Sequence, residues 1–224
     1  MQTQDAPAEI IFKLWPWLEA NQKRLAGIAV VIAIAVGIYF FIAERQTQRE
    51  VAAGQALTQL LVAPPANAGS VALANAFVQL AEKYSGTAAA ERAGLQAATT
   101  LYAAGNYDQA QVQFEKLASA HAAGALAATA NLGLAASFEA EGKLDLAAQN
   151  YRKVIAGFAD SGEAVTAKFS LARVLAAQGK LKDALNYYSE VEHAPLAGSL
   201  GSEAGMHARE IESQLAATTQ PKLK

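Results

Sequence analysis

The sequence predicts an all-α chain: a single N-terminal transmembrane helix followed by a right-handed solenoid of helical hairpins. Three observations carry that expectation. Gly105, Gly142 and Gly179 stand 37 residues apart and open similar hexamers, Gly-Asn-Tyr-Asp-Gln-Ala, Gly-Lys-Leu-Asp-Leu-Ala and Gly-Lys-Leu-Lys-Asp-Ala. Phe77, Phe114, Tyr151 and Tyr188 form an aromatic column of the same period. Residues 25–43 are a run of 19 without a charge. A fixed period of this size marks a repeat array, in which each unit is one supersecondary element that buries its apolar face only against its neighbours.

From the N-terminus, residues 1–24 form a short charged segment that carries Lys13, Lys23 and Arg24. The uncharged run then gives a helix of about 28 Å at 1.5 Å per residue, close to the ~30 Å hydrocarbon core of a bilayer. Trp15 and Trp17 precede it and Tyr39, Phe40 and Phe41 close it, as suits the two membrane interfaces. The run exceeds the ~7–15 apolar residues of a cleaved signal peptide, so it reads as an uncleaved anchor in contact with membrane lipid. Three basic residues before the run against Arg45 and Arg49 after it put the N-terminus in the cytoplasm and the rest outside. Ala29, Ala33 and Gly37 recur every four residues, a small-residue stripe of the kind that lets membrane helices pack closely. Residues 44–65 continue as a connecting helix, with Val51, Leu57, Leu60 and Leu61 in helical register until Pro64-Pro65 stops it.

Residues 66–217 are the repeat domain. Each full unit reads helix, tight turn, helix, with the turn glycines at the C′ position, where a left-handed backbone is tolerated. Thr87 before Glu91 and Ser161 before Glu163 mark helix starts. Ala110, Ala147 and Ala184 follow the turns, and Ala98, Ala135 and Ala172 precede them; small residues in one register let helices approach closely. The aromatic column is followed three residues on by Leu80, Leu117, Val154 and Val191, so four units share a second-helix core although the first lacks the glycine turn. No alternating run flanked by hairpin turns is present, so no strand is expected. A lone helix at about 204–215 caps the stack, and residues 218–224 form a loose tail.

The formal charge is −2 and no basic cluster is present, which argues against nucleic acid. There is no cysteine, so disulfide and thiol chemistry are excluded. The three histidines, His121, His193 and His207, include no pair at i, i+4, and no metal-ligand or phosphate-loop spacing appears. His121 shares a column with Tyr84, Phe158 and Pro195 and reads as structural. Gly198, Gly201 and Gly205 read as an inter-helix loop, and Glu139 and Glu141, beside a turn, as solvated acids. No catalytic residue, metal, cofactor or small-molecule substrate is expected, and the chain is not read as an enzyme.

The small residue, turn glycine, following alanine and aromatic resemble tetratricopeptide repeats, over about residues 87–192. The 37-residue period is longer than the ~34 of the common form and looks like the repeats of bacterial envelope proteins. The resemblance implies a concave groove lined by each unit's first helix: Arg92, Leu95, Thr99 and Tyr102; then Thr129, Leu132, Ala136 and Glu139; then Thr166, Phe169 and Arg173. Leu95, Leu132 and Phe169 could equally be buried between helices. They stand where the branch that clamps heat-shock C-termini needs a lysine, so that clamp is not expected; a mostly apolar groove with two arginines suits an extended or amphipathic protein segment.

The whole layout, most clearly across Ile11–Leu61 with Lys23-Arg24 before the span and an Ala-rich helix after it, resembles the YfgM family of ancillary subunits of the bacterial SecYEG translocon. That resemblance implies a single-pass inner-membrane protein whose repeats lie in the periplasm, with the translocon and periplasmic chaperones as partners in export of envelope proteins. Two alternatives remain. Residues 158–163 also look like the TolA-binding cell-division coordinator, which is exported with a cleaved signal. The other is a structural or assembly subunit of a different membrane complex.

Overall fold

The computed structural model describes residues 19–64, 69–120 and 124–219. His121 lies outside them, as do Lys13, Trp15, Trp17, Pro65 and the last five residues of the tail. Among the described residues there are nine helices and no strand. They are α1 (Gln22–Val62), α2 (Ser70–Lys83), α3 (Ala88–Ala103), α4 (Tyr107–Ala120), α5 (Ala125–Ala140), α6 (Leu144–Gly157), α7 (Gly162–Ala177), α8 (Leu181–Glu192) and α9 (Ser199–Thr219).

The chain divides into two units, Met1–Ala52 and Ala53–Lys224. In the first, α1 carries an apolar window with a mean hydropathy of 2.8, none of it buried against protein. It is long and apolar enough to cross a membrane. Ala29, Ala33 and Gly37 are all exposed on it, and a side chain at Gly37 would meet nothing.

The second unit is an all-helical solenoid. Its hairpin turns follow from local chemistry. Gly105, Gly142 and Gly179 have φ of 77°, 75° and 75°, the left-handed region that a side chain resists. At each turn the glycine N–H donates to the carbonyl three residues back, Tyr102, Glu139 or Ala176, at 2.8–3.0 Å. The next N–H, of Asn106, Lys143 or Lys180, donates to Leu101, Phe138 or Leu175 at 2.9 Å. These are Schellman motifs, and they satisfy carbonyls that a helix end leaves open. The Thr87 and Ser161 hydroxyls cap α3 and α7 by accepting from the N–H of Ala90 and Ala164, each at 3.1 Å.

The repeat columns are the core. Ala98, Ala110, Ala135, Ala147, Ala172 and Ala184 are all fully buried, and Phe77, Phe114, Tyr151 and Tyr188 are nearly so. From α2 onward each helix packs on the next; α3 also touches α5, α5 touches α7, and α7 touches α9. Among the described residues no such contact joins α2, α4, α6 and α8 to one another. The helices therefore sort into two layers, and α3, α5, α7 and α9, which crowd together, form the inner one.

The C-terminal cap is longer than the sequence suggests. α9 runs over Ser199–Thr219 and buries Ala204, Ala208 and Ile211. Gly201 and Gly205 lie inside it, not in a loop. The reason is close packing: a Cβ at Gly201 would sit 3.3 Å from the Glu192 carbonyl oxygen, and one at Gly205 would collide with the Glu192 side chain. Gly198, with φ 52°, is the one residue of that series that belongs to the connection.

Candidate functional site: a groove on the inner layer

The first helix of each unit faces inward, and α3, α5 and α7 together line an open cavity of about 290 Å³. Seven of the eleven residues expected in the groove line it: Thr99 and Tyr102 from α3, Thr129, Leu132 and Ala136 from α5, and Thr166 and Arg173 from α7. Helical spacing explains the set, because positions three, four and seven apart share a face. The bottom is closed by Phe114 and Tyr151, the repeat aromatics of α4 and α6.

The other four expected residues do not line the cavity. Arg92 is exposed on α3, about two turns before Thr99. Leu95 is half-buried and packs on the cluster around Leu101 and Phe114. Phe169 is 6 % exposed, with its ring edge-on to Tyr188 at 5.5 Å; it belongs to the core. Leu95, Leu132 and Phe169 thus occupy one repeat column with three different environments.

Glu139 sits behind the cavity wall and organises it. The Tyr151 hydroxyl donates to its Oε2 at 2.6 Å, and the Arg173 Nε donates to its Oε1 at 2.8 Å. The carboxylate side chain is 17 % exposed, the arginine 55 %. Glu139 and Glu141 are therefore not solvated acids. Glu141 pairs with Lys143 at 2.9 Å and accepts from Gln111. At a helix end next to a hairpin, the neighbouring helices bring long polar side chains back over the acids.

Burial pushes the Tyr151 phenol well above its ordinary range, and its hydrogen bond to Glu139 adds to the shift. The hydrogen bond to Glu139 raises Arg173 further, so the guanidinium is a permanent cation. Tyr102, at the lip and 5.4 Å from the Tyr107 ring, is raised chiefly by burial.

Gly133 and Ser170 are the groove residues that sequence reasoning missed. A Cβ at Gly133 would land on the Phe114 ring, so the ring lies against the α5 backbone. The signal was available as a period: the residue 19 after each repeat aromatic is Gly133 for Phe114, Ser170 for Tyr151 and His207 for Tyr188. Ser170 adjoins Tyr151 in the cavity wall, and the His207 ring stacks on Tyr188 at 5.1 Å and 27°. Among the described residues no group of three or more His, Asp or Glu is placed to hold a metal ion.

A family profile described as a tetratricopeptide repeat-like domain matches residues 15–147 and 115–205. No curated protein matches. Two similar solved structures are from Podosopora anserina, both titled with the words "putative kinesin light chain nearly identical TPR-like repeats". One is 16 % identical, covers 77 % of this chain and 93 % of its own, and superposes with a TM-score of 0.51. The other is 15 % identical, covers 79 % and 98 %, and has a TM-score of 0.48. At that identity the first shares the helical-repeat fold and nothing more.

Proposed function

The chain belongs to the tetratricopeptide repeat-like domain family, and on that premise we propose that it is a membrane-anchored protein-interaction scaffold ancillary to the bacterial Sec translocon. Tetratricopeptide-like folds are typically non-enzymatic scaffolds for protein partners. One observation carries the anchored form of the reading. The family match begins at residue 15, ahead of the apolar helix, and runs unbroken through it into the repeats. A family match that takes in the apolar helix together with the repeats supports an anchor that stays with them.

The orientation is N-terminus in the cytoplasm, span in the inner membrane and repeats in the periplasm, supported by Lys13, Lys23 and Arg24 before the span against Arg45 and Arg49 after it. The YfgM resemblance supplies the partners, SecYEG and a periplasmic chaperone, and the role of helping to hand over emerging envelope proteins. The inner-layer groove is where a partner segment binds.

Co-purification from membranes in mild detergent tests the assignment. SecYEG with a periplasmic chaperone is the expected catch. A stoichiometric redox or secretion complex in their place would overturn the Sec role and make the chain a subunit of that complex. Protease added to spheroplasts should digest the repeats; full protection would reverse the topology. Loss of residues 1–43 from the mature protein would favour the exported, TolA-binding type of repeat protein.

A further inference from the structure

We propose that the groove grips its partner at one point, by a single bulky apolar side chain seated over Phe114 and Gly133 and a carboxylate on Arg173. The proposal rests on the scaffold reading and specifies what that scaffold recognises.

The cavity is sized for a side chain. At about 290 Å³ it falls just below the ~300–1,000 Å³ of small-molecule pockets. Its depth comes from Gly133: α5 offers no side chain there, and the Phe114 ring lies against the backbone beneath. Leu132 and Ala136 complete an apolar wall. At the equivalent position the C-terminal unit places the His207 ring on its aromatic, so that junction is filled where this one is open.

The polar rim is selective because most of its donors are already used. Thr99 donates to the Leu95 carbonyl, Thr166 to the Gly162 carbonyl and Thr129 to Glu163 Oε1, at 3.0–3.1 Å. Their hydroxyls therefore meet a partner as acceptors, which suits the N–H groups of an extended backbone. Arg173 is the one charged side chain lining the cavity among the described residues. Glu139 holds it through Nε, and its terminal nitrogens make no hydrogen bond among the described residues. Both Glu139 oxygens are taken, by Tyr151 and by Arg173, so the charge that the groove shows is positive. A guanidinium with free terminal nitrogens is matched to a carboxylate. The chain's own tail is a poor match: residues 220–224 carry the cations Lys222 and Lys224 and no acidic side chain.

The test uses the full chain in detergent micelles and fluorescence anisotropy. The probe is a labelled peptide, acetyl-Ser-Thr-Phe-Ser-Glu-Ser-amide, with versions carrying Ala for Phe and Gln or Lys for Glu. The Phe/Glu peptide should bind, the Ala version should bind at least tenfold more weakly, and affinity should fall in the order Glu, Gln, Lys. Arg173→Gln should erase the preference for Glu over Gln while keeping the preference for Phe. Ala136→Leu, which fills the cavity from its half-buried wall, should lose the Phe preference at an unchanged melting temperature. Absence of binding, equal affinity for the Phe and Ala peptides, or preference for Lys overturns the proposal. Self-association abolished by Ala136→Leu, or tighter peptide binding after removal of residues 220–224, also overturns it, since the groove would then belong to a second copy or to the tail. A photo-cross-linker at Thr99 in cells reads the scaffold role separately. Sec or chaperone subunits captured there, with no Phe or Glu preference in the peptides, sink this proposal and leave the scaffold standing; no capture of any partner removes the scaffold role itself.

Discussion

Two junctions of the solenoid put the same repeat column to opposite uses. Between α4 and α5, Phe114 meets Gly133 and the space above the ring is open to the groove. Between α8 and α9, Tyr188 meets the His207 ring, with Phe169 edge-on beside it, and the space is filled. The aromatic is buried in both, 3 % exposed in each case. The period thus sets where a large ring goes. The size of the residue 19 positions later decides whether a hollow or a packed end results. A stack can carry a binding cavity at one interface and a closed cap at another without changing its fold.

The largest effect should come from emptying the hollow junction. Phe114→Ala removes a buried ring and should cost about 3–5 kcal/mol, read by thermal or denaturant unfolding. A loss under about 1 kcal/mol would mean that the ring is not integral to the core and that the junction is loose. Overfilling is the converse change. Gly133→Ala places a methyl on the Phe114 ring and should cost about 1–3 kcal/mol. Combining it with Phe114→Leu should recover part of that cost, because the two sites share one space and cannot be additive. Strict additivity would break the comparison at its root.

How much of this was legible in the sequence follows from the same logic. The buried alanines, the aromatic column and the turn glycines repeat along one chain, and a period displays them. Leu95, Leu132 and Phe169 share a column yet end half-buried, in the cavity wall and in the core. Their fates depend on which side chains arrive from the next helix. Phe169 is covered by Tyr188 and approached by His207, while Leu132 packs on the cluster that holds Tyr151 and keeps a face to the cavity. Periodicity within a unit does not report the sizes of partners outside it. Gly201 and Gly205 were misread for the same reason: composition suggested a loop, but both allow α9 to approach Glu192. Glu139 looked solvated because its partners, Tyr151 and Arg173, lie 12 and 34 residues on.

The Tyr151–Glu139 bond sharpens the comparison on the hollow side. Tyr151→Phe leaves a mostly buried carboxylate oxygen without its donor and should cost about 1–3 kcal/mol. It should also change the alkaline behaviour. Because the folded phenol titrates above its unfolded value of 10.0, its contribution is complete below that pH and is lost as pH rises past it. Wild-type stability should therefore fall above about pH 10, with tyrosinate absorbance appearing late. The Phe variant should lose part of that dependence, and the rest belongs to Tyr102 and Tyr188, which burial also raises. An identical alkaline slope in both proteins would show that Tyr151 ionises freely.

Gly142→Val tests what the two junctions share. The backbone there has φ 75°, and an added Cβ would meet nothing. The cost, about 1 kcal/mol or more, is then conformational strain alone. An unchanged melting temperature would place Gly142 outside the left-handed region.

The smallest effect belongs to the filled end. His207 stacks on Tyr188 but is half-exposed, with Glu203 and Glu210 at 4.0 and 3.8 Å. His207→Ala gives up ring contact worth about 0.5–1.5 kcal/mol, and little from ion pairs so open to solvent. The informative readout is a second one. Removing the ring uncovers a face of Tyr188, as a face of Phe114 is uncovered in the cavity, so the variant should gain affinity for small apolar probes at the C-terminal end while peptide binding in the middle groove stays unchanged. A variant that loses stability and gains no such site would mean that α9 closes over the gap. Openness at the middle junction would then depend on the α5 backbone, held between two neighbours, and not on side-chain size alone.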